Sequence, residues 1–149
     1  IEESIVEWEA ELDEEELAEF RAQIKDAVVA LSAEAELPGQ QDRDQQDAEQ
    51  IERGRIAFTE IFSCTDCHKI GEEGSLGSAP DLTGYGSRTW QIEFINDPEH
   101  PRFYRDTNDR MPRYAPNDVP ETEHKLDRQS IETIVDWLRS DWYEPPHQN

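Results

Sequence analysis

Both cysteines of the chain lie in SCTDCHKI, residues 63–70, two residues apart, and His68 follows the second directly. That octet constrains the fold more than any other stretch. Two thiols and an imidazole offered from one turn imply a shared task, and few chemistries use C-x-x-C. They are a redox dithiol, half of a structural zinc site, a short disulfide, and the covalent attachment of a haem. The rest of the chain has to discriminate among them.

A structural zinc takes four ligands, usually from two paired half-sites. Cys64 and Cys67 supply one pair, but His100, His124 and His147 are too far apart in sequence to supply a second. A thioredoxin-like dithiol belongs in a βαβ context, and no stretch of this chain alternates convincingly as a strand. A disulfide between residues three apart closes so small a loop that it stabilises little. Haem attachment explains more. Two thiols add across two porphyrin vinyl groups, and the adjacent imidazole lies where it can ligate the iron. The single methionine, Met111, stands in the polar, proline-rich setting DRMPRY. A lone Met is commonly a gap-filler in a core, and this setting argues against that. A thioether is a good sixth ligand for haem iron and raises its reduction potential. His100 and His124 are the alternative sixth ligands.

The chain around the octet is poor in apolar mass, with 34% hydrophobic and 34% charged residues. It can bury only a modest core unless something the sequence does not encode fills the interior. The formal net charge is −22, unevenly spread. Residues 1–50 hold 17 Asp or Glu against 3 Lys or Arg, and residues 51–149 hold 19 against 11. Such a polyanion repels nucleic acid and anionic lipid. Basic protein surfaces are the better partners, unless the charge serves solubility alone. No stretch has the apolar length of a membrane span. The chain begins at Ile1 rather than Met, so it reads as a processed or excised product whose export signal or membrane anchor lies elsewhere.

Periodicity divides the chain in two. WEAELDEEELAEFRAQIKDAVVALSAEAEL reads as helix, with Leu17, Phe20, Ile24, Val28 and Leu31 on one face. Asp13 followed by Glu16 suits a capping box, and a shorter helix is expected around Ile5, Trp8 and Leu12. Pro38-Gly39 ends the pattern, and the polar tract after it has nothing to bury. This gives residues 1–37 as an acidic amphipathic helical extension, 38–47 as a linker, and 48–149 as a second domain. In that domain DAEQIERGRIAFTEIF is a helix with Ile51, Gly54, Phe58 and Ile61 along one face. Gly54 inside it costs about 1 kcal/mol relative to Ala, which points to a close approach by another element. A Gly- and Ser-rich loop follows His68. SRTWQIEFINDP is a short helix, 99–124 is a proline-rich looping segment, and SIETIVDWLRSDWYEPP is the last helix, with Ile131, Ile134, Val135, Leu138 and Trp142 in a stripe. Loops so long are uncommon in a compact domain, unless they wrap something bulky and apolar.

Taken in order, the features of residues 48–143 resemble a class I cytochrome c: Gly54 and Phe58 before CTDCH, Pro80 in APDLTG, W..FI.DP from Trp90 to Pro98, Met111-Pro112, and IVDWLRS. The resemblance implies an all-α cytochrome c fold, short helices and long loops around one covalent haem, here with the acidic extension in front. It implies one haem c attached through Cys64 and Cys67, with His68 and Met111 as iron ligands and the Pro80 carbonyl holding the His68 N–H. Tyr85, Arg88, Trp90 and Arg113 are candidates for the haem propionates, or else ordinary loop polars and a core Trp. Tyr104 and Tyr114 are candidates for packing on the ring edge. Trp137 is expected to cross the first helix at Gly54. More narrowly, the second domain is similar to cytochrome c domains attached to bacterial cytochrome b or quinol-oxidising complexes. That implies one-electron transfer in a respiratory chain, in the periplasm or another extracytoplasmic space, with redox proteins such as a membrane cytochrome b or an oxidase as partners. The rival is a haem enzyme or sensor whose sixth site opens, with peroxidase activity or gas binding. Nothing carries over to residues 1–37, which are candidates for oligomerisation, docking or a plain tether.

Overall fold

In the computed structural model the described residues are 12–77, 79–108 and 110–141. Helix α1 (Glu14–Ala33) starts at the expected capping box. The Asp13 carboxylate accepts the Glu15 and Glu16 N–H groups at 2.9 Å, and Glu16 accepts the Asp13 N–H at 3.0 Å. Three glutamates in the first turn add favourable charge at the positive helix end. Residues 38–47, expected as a linker, carry helical structure of their own. Pro38–Gln40 form a 3₁₀ turn that leads into a short helix, α2 (Gln41–Gln46). Gln40 stitches this turn down by donating to Ser32 Oγ at 3.1 Å and Asp44 Oδ1 at 3.0 Å.

Helix α3 (Ala48–Ile56) continues into a π-helical turn, Ala57–Ile61. The 3₁₀ turn Cys64–Asp66 follows, then a long loop, then α4 (Arg88–Asn96), capped by the Ser87 hydroxyl on the Trp90 N–H. After two more 3₁₀ turns comes α5 (Arg128–Leu138), capped by Asp127 on the Ser130 N–H at 2.7 Å. Among the described residues there is no strand, only an isolated bridge between Ile70 and Glu73. The short helix expected around Ile5 and Trp8, and the end of the last element at Trp142 and Pro145-Pro146, lie outside the described residues.

The helices pack as two pairs, α1 on α3 and α4 on α5. Gly54 is the contact point of the first pair. A Cβ there would lie 2.0 Å from the Asp26 carbonyl oxygen and 2.7 Å from the Ala30 Cβ. The close approach inferred from Gly54 is therefore real, but its partner is α1. Trp137, expected to cross here, is 64% exposed. The reason is local: α1 offers the small Ala30 at the crossing, and its Asp26 accepts from Gln50 at 2.8 Å and Arg53 at 3.0 Å on either side. Of the face that periodicity indicated on α1, Leu17, Phe20, Ile24 and Leu31 are half-buried. Ala30 is buried, while Val28 is 62% exposed. On α5, Ile131 and Val135 are fully buried, but Ile134 and Leu138 of the expected stripe are largely exposed.

A cluster of aromatic rings forms the other part of the core. Trp90 stacks on Phe94 at 5.2 Å, and Phe103 meets both edge-on at 5.3 Å. Tyr85 meets the Trp90 ring edge-on at 5.0 Å. Edge-to-face and offset geometries at these separations are the favourable ones for aromatic pairs.

Candidate functional site

The approach to the cysteines is shaped by backbone irregularities. In the π turn the Phe62 N–H donates to the Ala57 carbonyl at 2.9 Å, one residue further back than in an α-helix. Ser63 then adopts a left-handed conformation, φ 50°, which costs a residue with a side chain about 1–2 kcal/mol. The 3₁₀ turn closes with the Cys67 and His68 N–H groups both donating to the Cys64 carbonyl, at 3.2 and 2.9 Å. The two thiols and the imidazole thus come from one tight turn. Cys64 is half-buried, Cys67 is exposed, and both are free thiols. Burial is the main influence on Cys64 and pushes its thiol pKa up, so that sulfur stays protonated. Gly74 closes the loop beneath this turn at φ 72°, where a Cβ would meet the His68 carbonyl oxygen at 2.2 Å.

His68 Nδ1 lies 2.7 Å from the Pro80 carbonyl oxygen. A carbonyl only accepts, so Nδ1 carries a proton, and in the neutral tautomer that this selects the lone pair is on Nε2. The proline segment is itself fixed. The Asp81 N–H donates to the Arg102 carbonyl at 2.8 Å, and the Trp90 indole N–H donates to the Asp81 carbonyl at 2.9 Å. The buried Asp81 carboxylate accepts from the Thr83 N–H at 2.8 Å and Arg102 Nε at 3.1 Å. The Leu82 N–H reaches the Lys69 carbonyl at 2.7 Å, lacing the proline loop to the turn after His68.

Met111 is half-buried in its loop rather than locked in the core. The loop is tied to the end of α4 after Met111 and braced by Asn108 before it. After Met111, Arg113 forms a two-pronged bond to Asp97, at 2.8 and 2.9 Å, and the Tyr114 and Ala115 N–H groups both reach the Asn96 carbonyl at 3.0 Å. Before it, the Asn108 side chain accepts the Met111 N–H at 3.3 Å and donates to the Met111 carbonyl at 2.8 Å. The hydrogen bond from Arg113 holds the Asp97 carboxyl below its ordinary value. A carboxylate depressed in the folded state contributes stability above its unfolded pKa, about 3.9, and loses it as pH falls through the folded value. Denaturant titrations between pH 6 and 2 should therefore show the Asp97→Asn variant with a flatter decline below about pH 4 than the native chain. Parallel curves would mean that the pair does not hold the loop.

The remaining predicted residues fall into different settings. Trp90 is buried and spends its N–H on the Asp81 carbonyl, which is the role of a core tryptophan. Arg88 faces α5, bonded to Asp136 at 2.6 and 3.2 Å, and Arg113 also binds Asp118. Both guanidiniums are thus engaged by carboxylates. Tyr85 is 42% exposed beside Trp90 and Tyr104 is 45% exposed beside Phe94, while Tyr114 is half-buried and its carbonyl accepts the Lys125 N–H at 2.8 Å. Of the alternative ligands, His124 Nε2 bonds the Val119 carbonyl at 3.0 Å, and His100 Nδ1 accepts the Arg102 N–H at 3.3 Å. A half-enclosed apolar cavity of about 390 Å³ lies between α1, α3 and the turn after His68, and none of the predicted site residues lines it.

Three residues that hold the site were not singled out by sequence. Asn108 carried a faint signal, a side-chain amide three residues before the lone Met. Asp81 and Arg102 carried none, because their pairing joins loops 21 residues apart.

Among the described residues, no group of three or more His, Cys, Asp or Glu converges as a metal site by itself. The donors instead suit a covalently attached haem: two free thiols, an imidazole held from behind through Nδ1, and a thioether on a separately anchored loop. A family model described as Cytochrome c matches residues 51–142. No curated protein and no solved structure matches the chain.

Proposed function

Because the chain belongs to the cytochrome c family, whose members carry a covalent haem and transfer electrons, we propose that it is a one-electron carrier with a single haem held by Cys64, Cys67, His68 and Met111. When bound, the haem iron supplies a ferric/ferrous couple. Cys64 and Cys67 would hold the ring as thioethers, each S–H adding across one vinyl group. His68 Nε2 would be the first iron ligand. The observation that carries this reading is the 2.7 Å bond from His68 Nδ1 to the Pro80 carbonyl. It fixes the tautomer, orients the imidazole and raises its basicity as a ligand. Met111 Sδ would be the second iron ligand, favoured by its half-buried place on a loop that Arg113 ties to Asp97. Two protein ligands would leave the iron no position for substrate, which separates a carrier from a peroxidase or gas sensor. Tyr85, beside Trp90, remains a candidate for the propionates, whereas Arg88 and Arg113 would have to leave their carboxylates to reach them.

Domains of this family are typically extracytoplasmic, and no described helix is long and apolar enough to cross a membrane. We place the chain in the periplasm or an equivalent space, serving a quinol-oxidising respiratory chain, with a membrane cytochrome b or an oxidase as redox partner. The charge of −22 favours partners with basic surfaces.

The test is Met111→Ala in the haem-loaded protein. The ferric variant is expected to lose the weak far-red band of sulfur-bound iron, and its ferrous form to bind carbon monoxide. Its reduction potential should fall, within the roughly 0.8 V over which axial ligands set haem potentials. An unchanged band would remove Met111 from the iron.

A further inference from the structure

We propose that Asn108 is a positioning residue for Met111, and that it sets how readily the sixth position of the iron opens to an outside ligand. The inference rests on the reading of Met111 as that ligand. Asn108 binds the Met111 backbone at both polar groups, taking the N–H into Oδ1 at 3.3 Å and the carbonyl from Nδ2 at 2.8 Å. The same Nδ2 reaches Glu99 Oε1 at 3.4 Å, and Glu99 lies 3.7 Å from the Arg113 guanidinium. Arg113 in turn is held by Asp97 at 2.8 and 2.9 Å. The turn 97–99 therefore grips the loop on both sides of Met111: through Arg113 after it, through Asn108 before it. Pro112 stiffens the exit because its φ is fixed. The entry has no such restraint in its covalent structure. The 3₁₀ turn Arg105–Thr107 begins with Arg105 at φ 53°, and Asn108 is the first side chain after it that binds the backbone of Met111.

The thioether itself is a long, unbranched and adaptable side chain. Its residence on the iron thus depends on where the backbone holds its Cα. With Asn108 in place, the Met111 backbone can shift away from it only by breaking two hydrogen bonds. Two neutral bonds of ordinary net strength correspond to a roughly tenfold bias toward the attached state.

The test uses the full haem-loaded chain with imidazole as probe for the ferric form and carbon monoxide for the ferrous form. Asn108→Ala is expected to bind imidazole roughly tenfold more tightly, and its Met111 amide to exchange faster with solvent. Asn108→Ser, whose hydroxyl still accepts the Met111 N–H, should fall between. In a Met111→Ala background the Asn108→Ala change should have no further effect on imidazole affinity. Native-like imidazole binding in Asn108→Ala overturns the proposal. So does an equal increase with and without Met111, because Asn108 would then act by loosening the pocket in general. If Met111→Ala alone leaves the far-red band intact, the ligand assignment fails first; if it abolishes the band while Asn108→Ala changes nothing, only the role of Asn108 fails.

Discussion

Gly54→Val is expected to destabilise the folded chain by about 3 kcal/mol, at the upper end of what overpacking usually costs. Removing a helical glycine gains about 1 kcal/mol by propensity, and the contact geometry overrides that gain. Even a methyl group at Gly54 would sit 2.0 Å from the Asp26 carbonyl oxygen, and backbone cannot swing away as a long side chain can. Either α1 lifts from α3 or the pair separates. The Asp26 contacts to Gln50 and Arg53 would stretch with it. A double-mutant cycle identifies the neighbour. Gly54→Ala should couple to Ala30→Gly by 0.5 kcal/mol or more in denaturant unfolding, and not to Trp137→Ala. Coupling to Trp137 instead would put α5 across α3, as the family resemblance led one to expect. The outcome bears on the N-terminal extension as a whole. Read from sequence, removal of residues 1–40 should leave the haem spectrum unchanged. With α1 seated on Gly54, that removal should still lower stability, because it uncovers α3.

The motif turn was legible because its chemistry is local. Cys64, Cys67 and His68 lie within five residues, and Pro80 was placed by resemblance and then found on His68. Helix caps were legible for the same reason: Asp13 and Glu16 are three residues apart, and the structure makes both capping bonds. What failed was the partner of each apolar face. Periodicity says that Leu17, Phe20, Ile24 and Val28 share a stripe, but not that Asp26 and Ala30 will take the small-residue notch on α3. An Asp one position off the stripe looks like solvated surface until Gln50 and Arg53 are seen beside it. Likewise Arg88 and Arg113 are cations near a presumed anionic cofactor in sequence, and in three dimensions each has found a carboxylate on a neighbouring element. Pairings that depend on how loops close over one another leave no mark at helical or strand spacing.

Arg139→Met should cost roughly 3–5 kcal/mol, the range for breaking a buried charged contact. The Arg139 side chain is 4% exposed and ties together three parts of the chain. It donates to the Ala35 carbonyl at 2.8 Å and the Glu36 carbonyl at 3.1 Å, at the end of α1. It donates to the Gly86 carbonyl at 2.7 Å, in the loop between Pro80 and α4, and to Asp141 at 3.0 Å beyond α5. Helix ends leave carbonyls without partners, and glycine in a left-handed conformation usually completes them. Here Glu36 and Ser140 hold that conformation, at φ 50° and 59°. Arg139 compensates at the end of α1 by supplying N–H donors from another helix. Methionine keeps the volume and removes every donor, so the carbonyls of Ala35, Glu36 and Gly86 lose a partner at once. Lysine keeps the charge but not the planar fork, and should recover only part of the loss. Hydrogen exchange gives the spatial signature: in Arg139→Met, protection should fall at 84–87 and at 34–36 together, since one side chain serves both. Loss confined to α5 would mean that Arg139 caps its own helix and nothing more. Loss at all three sites would show that the acidic extension and the loop leading from Pro80 share a single buried tie.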